Sequence, residues 1–216
     1  ISLLLSCLFP MKIHVIFHGA YSPILWLVVF FSNVKVISVI QGSEIETDYK
    51  GFRSIFIKLL LNRSDLVVCR SNVQRQKVIS VTSTRPELCH IINWGLNREL
   101  FYIQRVVKTN YIKIISARAT QPEYNIDIIF QVIKKLKKEG YKIKFCYIEF
   151  NKTINIPNQG ISDIKIVNPN QKALWKELAS SDISLSLPKY DGFSNTIVES
   201  LALGTYNIIG DLKQYK

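Results

Sequence analysis

The sequence predicts an α/β protein made of two doubly wound parallel-sheet units. Short β-rich runs alternate with helical segments from residue 12 to the end, an order that points to parallel strands covered by helices. A polar connector breaks that alternation into two series of about 100 residues each. The composition is that of a packed protein: 48% of the residues are apolar, 20% are charged, and only nine Gly and seven Pro occur in 216 residues.

In the first series KIHVIF (12–17) and VKVISVI (34–40) read as strands, with ILWLVVFF (24–31) between them as a buried helix. Residues 52–62 read as a helix leading to the strand DLVVC (65–69). Ser71 is placed to cap the helix NVQRQKVIS, and LCHII (88–92) is the next strand. Asn93-Trp94-Gly95 closes the series, NRELFYIQRVVKTN (97–110) reads as the connector, and the domain boundary is placed at 104/105.

The second series opens with the strand YIKIIS (111–116). Residues 126–138 follow as an amphipathic helix with Ile128, Ile129, Val132, Ile133 and Leu136 as its apolar positions. Then come the strand YKIKFCYIEF, the loop NKTINIPNQG and the strand DIKIV. A helix over 172–180, the strand DISLSL, a helix over 195–203 and the strand YNIIG complete the series. Ligands of such folds collect at the carboxyl ends of the strands, next to helix N-termini.

The formal charge is +12, with +5 over residues 1–104 and +7 over 105–216. Nucleic acid, an anionic membrane surface and a phosphorylated substrate are the three candidate meanings. No aromatic RNA-binding strand, zinc-finger spacing or Arg-rich helix supports nucleic acid. The densest cluster, Lys134, Lys135, Lys137 and Lys138 with Lys142 and Lys144, reads first as a solvated helix face. The apolar runs ISLLLSCLFP and ILWLVVFF fall short of the ~20 residues of a membrane-spanning helix, and the first lacks a basic region and cleavage site. Cys7, Cys69, Cys89 and Cys146 have no CxxC spacing and read as buried reduced thiols. His90, inside an apolar strand, reads as core. His14 and His18 stand at a strand end, either as structural residues or as part of a site.

DISLSLPKYDGFSNTIVESLALG (182–204) carries the chemistry. A strand runs through Pro188 into the turn KYDGFS and then into a helix starting near Ser194 or Asn195. Gly192 permits a backbone that other residues resist, and the amides of residues 193–196 form the positive end of a helix dipole. Asp191 lies before that anion site and Glu199 two turns beyond its start. This layout suits a ligand with hydroxyls on both sides of a phosphate, as in a nucleotide sugar. An ordinary N-capped helix with a solvated Glu199 accounts for the same spacing.

Phe193, Glu199, Ala202 and Gly204, with Asp191-Gly192 before them, resemble the E-G-F-x-x-x-x-x-E-A-x-A-x-G signature of retaining family-4 glycosyltransferases of the GT-B fold. VISVIQGSEIE (36–46) resembles the family's H-G-x-D/E segment, and SDLVVCRSNVQR (64–75) its a-D-x-v-i-a-x-S segment. IINWGLNRELF (91–101) resembles the i-p-N-G-v-D-x-x-x-F that closes the first domain, and IISARATQPEYNID (114–127) the v-G-R-l-x-x-x-K-G-x-D that opens the second.

The resemblance implies two Rossmann-like domains. Residues 1–104 would form the acceptor side and 105–216 the nucleotide-sugar side, both incomplete as the chain begins and ends. It implies transfer of a hexose from a nucleoside-diphosphate sugar to a cell-envelope polysaccharide or lipid-linked acceptor. The expected setting is the cytoplasm, with a peripheral contact with anionic membrane and no nucleic acid. Neither cofactor nor metal is expected. The catalytic set it implies is Asp191 on the donor sugar, Glu199 on the ribose hydroxyls and Arg118 on the leaving diphosphate. Donor-binding positions are Gly192, Phe193, Ser194, Asn195, Thr196 and Gly42.

The chain departs from the pattern in four places. Asp191 replaces Glu, and Tyr124 stands where the family has a phosphate-binding Lys. Glu149-Phe150-Asn151 replaces a Gly-x-Gly, and Gln41 replaces a His. The alternatives are a non-catalytic truncated remnant of such an enzyme, or a basic membrane-surface-binding module.

Overall fold

The computed structural model describes residues 14–19, 34–42, 45, 51–106, 110–118, 122–149 and 161–216. The helix expected at 24–31, the loop NKTINIPNQG, the opening apolar run and Cys7 lie outside the described residues. The chain divides into two units. One holds residues 1–94 with 191–193 and 213–216; the other holds 95–190 with 194–212.

The first unit has a parallel sheet in sequential order: β1 (His14–His18), β2 (Lys35–Val39), β3 (Leu66–Cys69) and β4 (Cys89–Ile91). Helix α1 (Gly51–Arg63) buries Ile57, Leu60 and Leu61. Ile57 and Leu61 pack with Val67, Cys69 and Cys89, and Leu60 with Phe17, Val34 and Val36. Helix α2 (Asn72–Thr82) starts where expected, because the Ser71 hydroxyl accepts from the Gln74 amide at 3.2 Å. It ends where Ser83 turns left-handed at φ 61° and its amide donates to the Ile79 carbonyl. His90 is not core: β4 is the last strand of its sheet, with Cys89 buried but His90 and Ile91 exposed.

The second unit has the order β7 (Ile164–Val167), β6 (Ile143–Glu149), β5 (Ile112–Ser116), β8 (Ile183–Ser186) and β9 (Tyr206–Ile209), all parallel. The chain builds outward from β5 to β7 and then returns to β8 on the other side of β5. The point where the order reverses therefore lies between β5 and β8.

The pleat sorts the side chains of each strand onto two faces. Ile114, Phe145 and Tyr147 pack on one face with Ile126, Ile129, Phe130 and Ile133 of helix α3 (Ile126–Lys138). Ile115, Cys146 and Ile148 pack on the other with Leu174, Trp175 and Leu178 of helix α4 (Gln171–Ala179). The connector joins this second core early. Leu100, in a 3-10 turn over Arg98–Tyr102, is fully buried there, with Leu96 and Ile103 against it. The chain thus passes into the second unit at Trp94/Gly95, ten residues before the boundary read from the polar run.

Three strands start with the same bracket. Asp65, Asp163 and Asp182 each precede a strand and accept from a backbone amide of the neighbouring strand: Val36 at 2.9 Å, Phe145 at 2.7 Å and Lys113 at 2.8 Å. The amide of each Asp donates back to the carbonyl of the same partner residue. Buried Cys69, Cys89 and Cys146 are free thiols, and burial pushes Cys69 and Cys146 up to about 12. Among the described residues no helix is long and apolar enough to cross a membrane.

Candidate functional site

The second unit presents its chemistry at the carboxyl ends of β5 and β8, beside the reversal of strand order where ligands of open α/β sheets bind. Arg118 stands two residues past β5. Its Nε donates to the Ser186 hydroxyl at the end of β8 over 2.7 Å, which fixes the guanidinium across the crevice. The guanidinium also lies 5.3 Å from the centroid of Tyr124, the aromatic residue at the expected Lys position. Tyr124 thus braces the cation instead of adding a second one. Asn125, left-handed at φ 49°, donates from its amide side chain to the Leu187 carbonyl at 2.9 Å. The Lys189 amide is held by the Glu123 carbonyl at 2.7 Å, with the rest of Lys189 exposed.

Helix α5 (Asn195–Ala202) begins in this region. Its N-cap is Ser194, extended in backbone, yet the Ser194 side chain makes no capping hydrogen bond and no carboxylate occupies the first turn. The Ser194 hydroxyl is buried without a hydrogen-bond partner, as is that of Ser116 at the end of β5. A buried hydroxyl left unmatched costs about 1–3 kcal/mol, so an acceptor at this end of α5 would be stabilising. The positive end of a helix dipole supplies the matching field.

Glu199 lies on the next turn of α5, half-buried. Gln171 Nε2 donates to both its carboxylate oxygens, at 3.1 and 3.3 Å. Burial raises the Glu199 pKa above the ordinary glutamate value, opposed by the neighbouring Trp175 indole and by Gln171. No geometrically complete hydrogen bond reaches Trp175 Nε1. Asn195 is exposed and Thr196 half-buried on the first turn.

The turn residues Asp191, Gly192 and Phe193 group with the first unit. There Gly192 faces the loop after β2, where a Cβ on Gly192 would sit 2.6 Å from the Gln41 carbonyl oxygen. A Cβ on Gly42, which has φ 128°, would meet the Gly192 amide nitrogen at 3.2 Å. The structure therefore brings the predicted residues Gly42 and Gly192 together, backbone against backbone.

Asp191 is held by two residues that sequence reasoning missed. Tyr215 Oη donates to its carboxylate at 2.6 Å, and Gln214 Nε2 donates to its backbone carbonyl at 2.5 Å. Phe193 meets the Tyr215 ring edge to face at 6.3 Å. Arg70 lies mostly buried nearby: burial lowers its pKa and the Asp191 charge raises it. His18 stacks on Trp94 at 5.6 Å, and the Arg70 guanidinium lies over the same indole. Nothing in the pattern marked Tyr215, whereas Ser186 stood in view at the end of DISLSL.

Glu149, read as a departure from Gly-x-Gly, is buried at the end of β6 and paired with Lys165 at 2.8 Å. It serves the sheet edge. Phe150 and Asn151 lie outside the described residues. Among the described residues no cluster of His, Cys, Asp and Glu could hold a metal ion.

Comparison with solved structures identifies the fold. HepE from Anabaena, in complex with UDP and glucose, superposes with a TM-score of 0.75 at 11% identity, covering 99% of this chain and 62% of that one. A glycosyltransferase from Rickettsia africae gives a TM-score of 0.71 at 14% identity over 99% of this chain and 61% of its own. TarM from S. aureus, in complex with fondaparinux, α-GlcNAc-glycerol and UDP, gives 0.68 at 16% identity over 93% and 41%. The fold is GT-B. The chain spans about three fifths of the length of the first two structures. Neither a protein-family model nor a curated protein sequence matches it.

Of the residues the sequence singled out, Arg118, Ser194, Asn195, Thr196 and Glu199 belong to the second unit, and Gly42, Asp191, Gly192 and Phe193 to the first.

Proposed function

We propose that the chain is a retaining, family-4-type glycosyltransferase that takes a hexose from a nucleoside-diphosphate sugar to a cell-envelope glycan or lipid-linked acceptor. The observation that carries this reading is the uncapped start of α5, where the buried Ser194 hydroxyl lacks a partner. A diphosphate seated there accepts from that hydroxyl and from the first-turn amides. Arg118, braced by Ser186 and Tyr124, neutralises the charge that develops as the nucleoside diphosphate leaves, and it does so without reorganising. Glu199 accepts from the ribose hydroxyls, and Asp191 keeps its role on the sugar. The UDP complexes of HepE and TarM support a uridine donor.

A second reading, a fold that binds donor without turnover, is favoured by Tyr124 at the expected Lys position. Calorimetric titration with UDP and GDP tests both. The wild-type chain should bind one of them, and Glu199→Ala and Arg118→Ala should each weaken binding about tenfold or more, the worth of one charged hydrogen bond. Equal binding by all three, or none by any, rejects the donor site. Binding without release of free nucleotide from UDP-sugars selects the second reading.

A further inference from the structure

We infer that Gln171 is a positioning residue of the donor site. It holds the Glu199 carboxylate in the attitude that reads a vicinal diol, and so makes the site selective for ribonucleotides over 2′-deoxyribonucleotides. The inference rests on the donor reading proposed above and adds to it a residue that no motif in the sequence marked.

Topology brings the two side chains together within the second unit. Helix α4 follows β7 and helix α5 follows β8, in a sheet whose strands all run parallel. Both helices therefore begin at the carboxyl end of the sheet, where Arg118 and Ser194 also stand. Gln171 is the first residue of α4, and Glu199 lies one turn into α5. Helical side chains lean toward the N-terminus of their own helix, so Glu199 leans toward that same end. The backbone at Gln171 is fixed by its cap. Asn170 Oδ1 accepts from the Ala173 amide at 2.9 Å, and the Asn170 carbonyl accepts from the Leu174 amide at 3.0 Å. Trp175 shares the Gln171 face at i,i+4, is fully packed, and places its indole beside Glu199. Lys172 turns away to Glu99 at 2.9 Å, so the amide meets the carboxylate without that cation competing for it.

The contact has a form suited to orienting an acceptor. Gln171 Nε2 reaches both Glu199 oxygens, at 3.1 and 3.3 Å. Two contacts from one nitrogen fix the rotation of the carboxylate, which a single bond would leave free. A carboxylate offers about four lone-pair directions. Gln171 takes two of them, which leaves one on each oxygen. A ribose carries two hydroxyls on neighbouring carbons, a donor for each. A 2′-deoxyribose carries one and leaves an oxygen of this half-buried carboxylate short of a donor.

The test is calorimetric titration at pH 8 with UDP and 2′-deoxyuridine diphosphate, read as the ratio of their Kd values. The wild-type chain should prefer UDP about tenfold or more, the worth of one hydrogen bond to a charged group. Gln171→Leu should bring the ratio within about threefold of one, chiefly by weakening UDP. Glu199→Ala should do the same, and Gln171→Leu added to it should change nothing further. A residue that served only the fold would shift the melting temperature and leave the ratio alone. Should Gln171→Leu not fold, Gln171→Ala reads the same ratio. No binding by wild type, or a ratio unchanged by Glu199→Ala, rejects the donor reading and this inference with it. A ratio lost in Glu199→Ala but kept in Gln171→Leu leaves the donor reading standing and overturns the inference alone. So does tighter UDP binding in Gln171→Leu, which would make the amide a competitor for the carboxylate.

Discussion

Glu199, proposed to contact the donor ribose, is set against stability. Because burial raises its pKa, the folded chain holds the Glu199 proton more tightly than the unfolded chain does. Its contribution to folding is full below the ordinary glutamate pKa and is lost as pH rises through the folded value. At neutral pH the ionised side chain is therefore a cost, one that the proposed donor contact would offset. Glu199→Gln removes the charge and still accepts from Gln171. It should melt higher than wild type near neutral pH, coincide with it at about pH 4, and lose nucleotide affinity. Thermal melts across pH, alongside titration with UDP, check both halves. A lower melting temperature at neutral pH would make Glu199 a structural residue.

At the scale of elements the strand brackets decide register. S-D-[LI] occurs at 64–66, 162–164 and 181–183, each time at the start of β3, β7 or β8. The Asp carboxylate takes the amide that the neighbouring strand would leave open at its start. For Asp65 burial works against the charge, but Lys35, the Val36 amide and Arg63 outweigh it, and the pKa is lowered. For Asp163 burial is likewise outweighed, by Lys137 and the Phe145 amide. Both stabilise the fold above the ordinary aspartate pKa, and that contribution is lost as pH falls through the folded values. Asp163→Ala should cost about 1.5–3 kcal/mol in urea denaturation at neutral pH, as for a hydrogen bond to a charged group. Asp65→Asn/Asp163→Asn should flatten the acid limb of the stability curve.

Element positions were largely legible in the sequence. Helix α3 falls on its expected residues, and the other described helices fall within about two residues of theirs. Periodicity reports a segment's own conformation well. What surrounds the segment is less visible, and so β4 was read as buried when it is the edge of its sheet. For the same reason the polar run at 97–110 hid Leu100, one apolar residue whose burial carries the connector into the second core.

At the scale of the whole molecule two units, each with its own apolar clusters, imply two unfolding events. The second unit contains a half-buried ion pair: Lys113 Nζ, on β5, contacts Glu177 at 2.7 Å and the Ser180 hydroxyl at 2.6 Å. Removing the cation leaves the half-buried Glu177 unpaired, so Lys113→Met should cost about 1.5–3 kcal/mol, and adding Glu177→Leu should recover part of that. Differential scanning calorimetry should resolve two transitions, only one of which moves in Lys113→Met. A single transition that shifts as one would show that the cores unfold together.

By itself the sequence determined that the chain is α/β, that its strands are parallel, and that a carboxylate-flanked turn opens the helix before the last strand. Those properties live in periodicity, caps and short motifs, which act over a few residues. Only the tertiary structure decided that Gly192 must lack a side chain beside Gln41, that Tyr215 holds Asp191, and that Arg118 rests on Ser186 and Tyr124. Each of these joins residues that local pattern leaves unconnected. Close approach, burial and an unmatched hydroxyl exist only once the chain has brought its strand ends together.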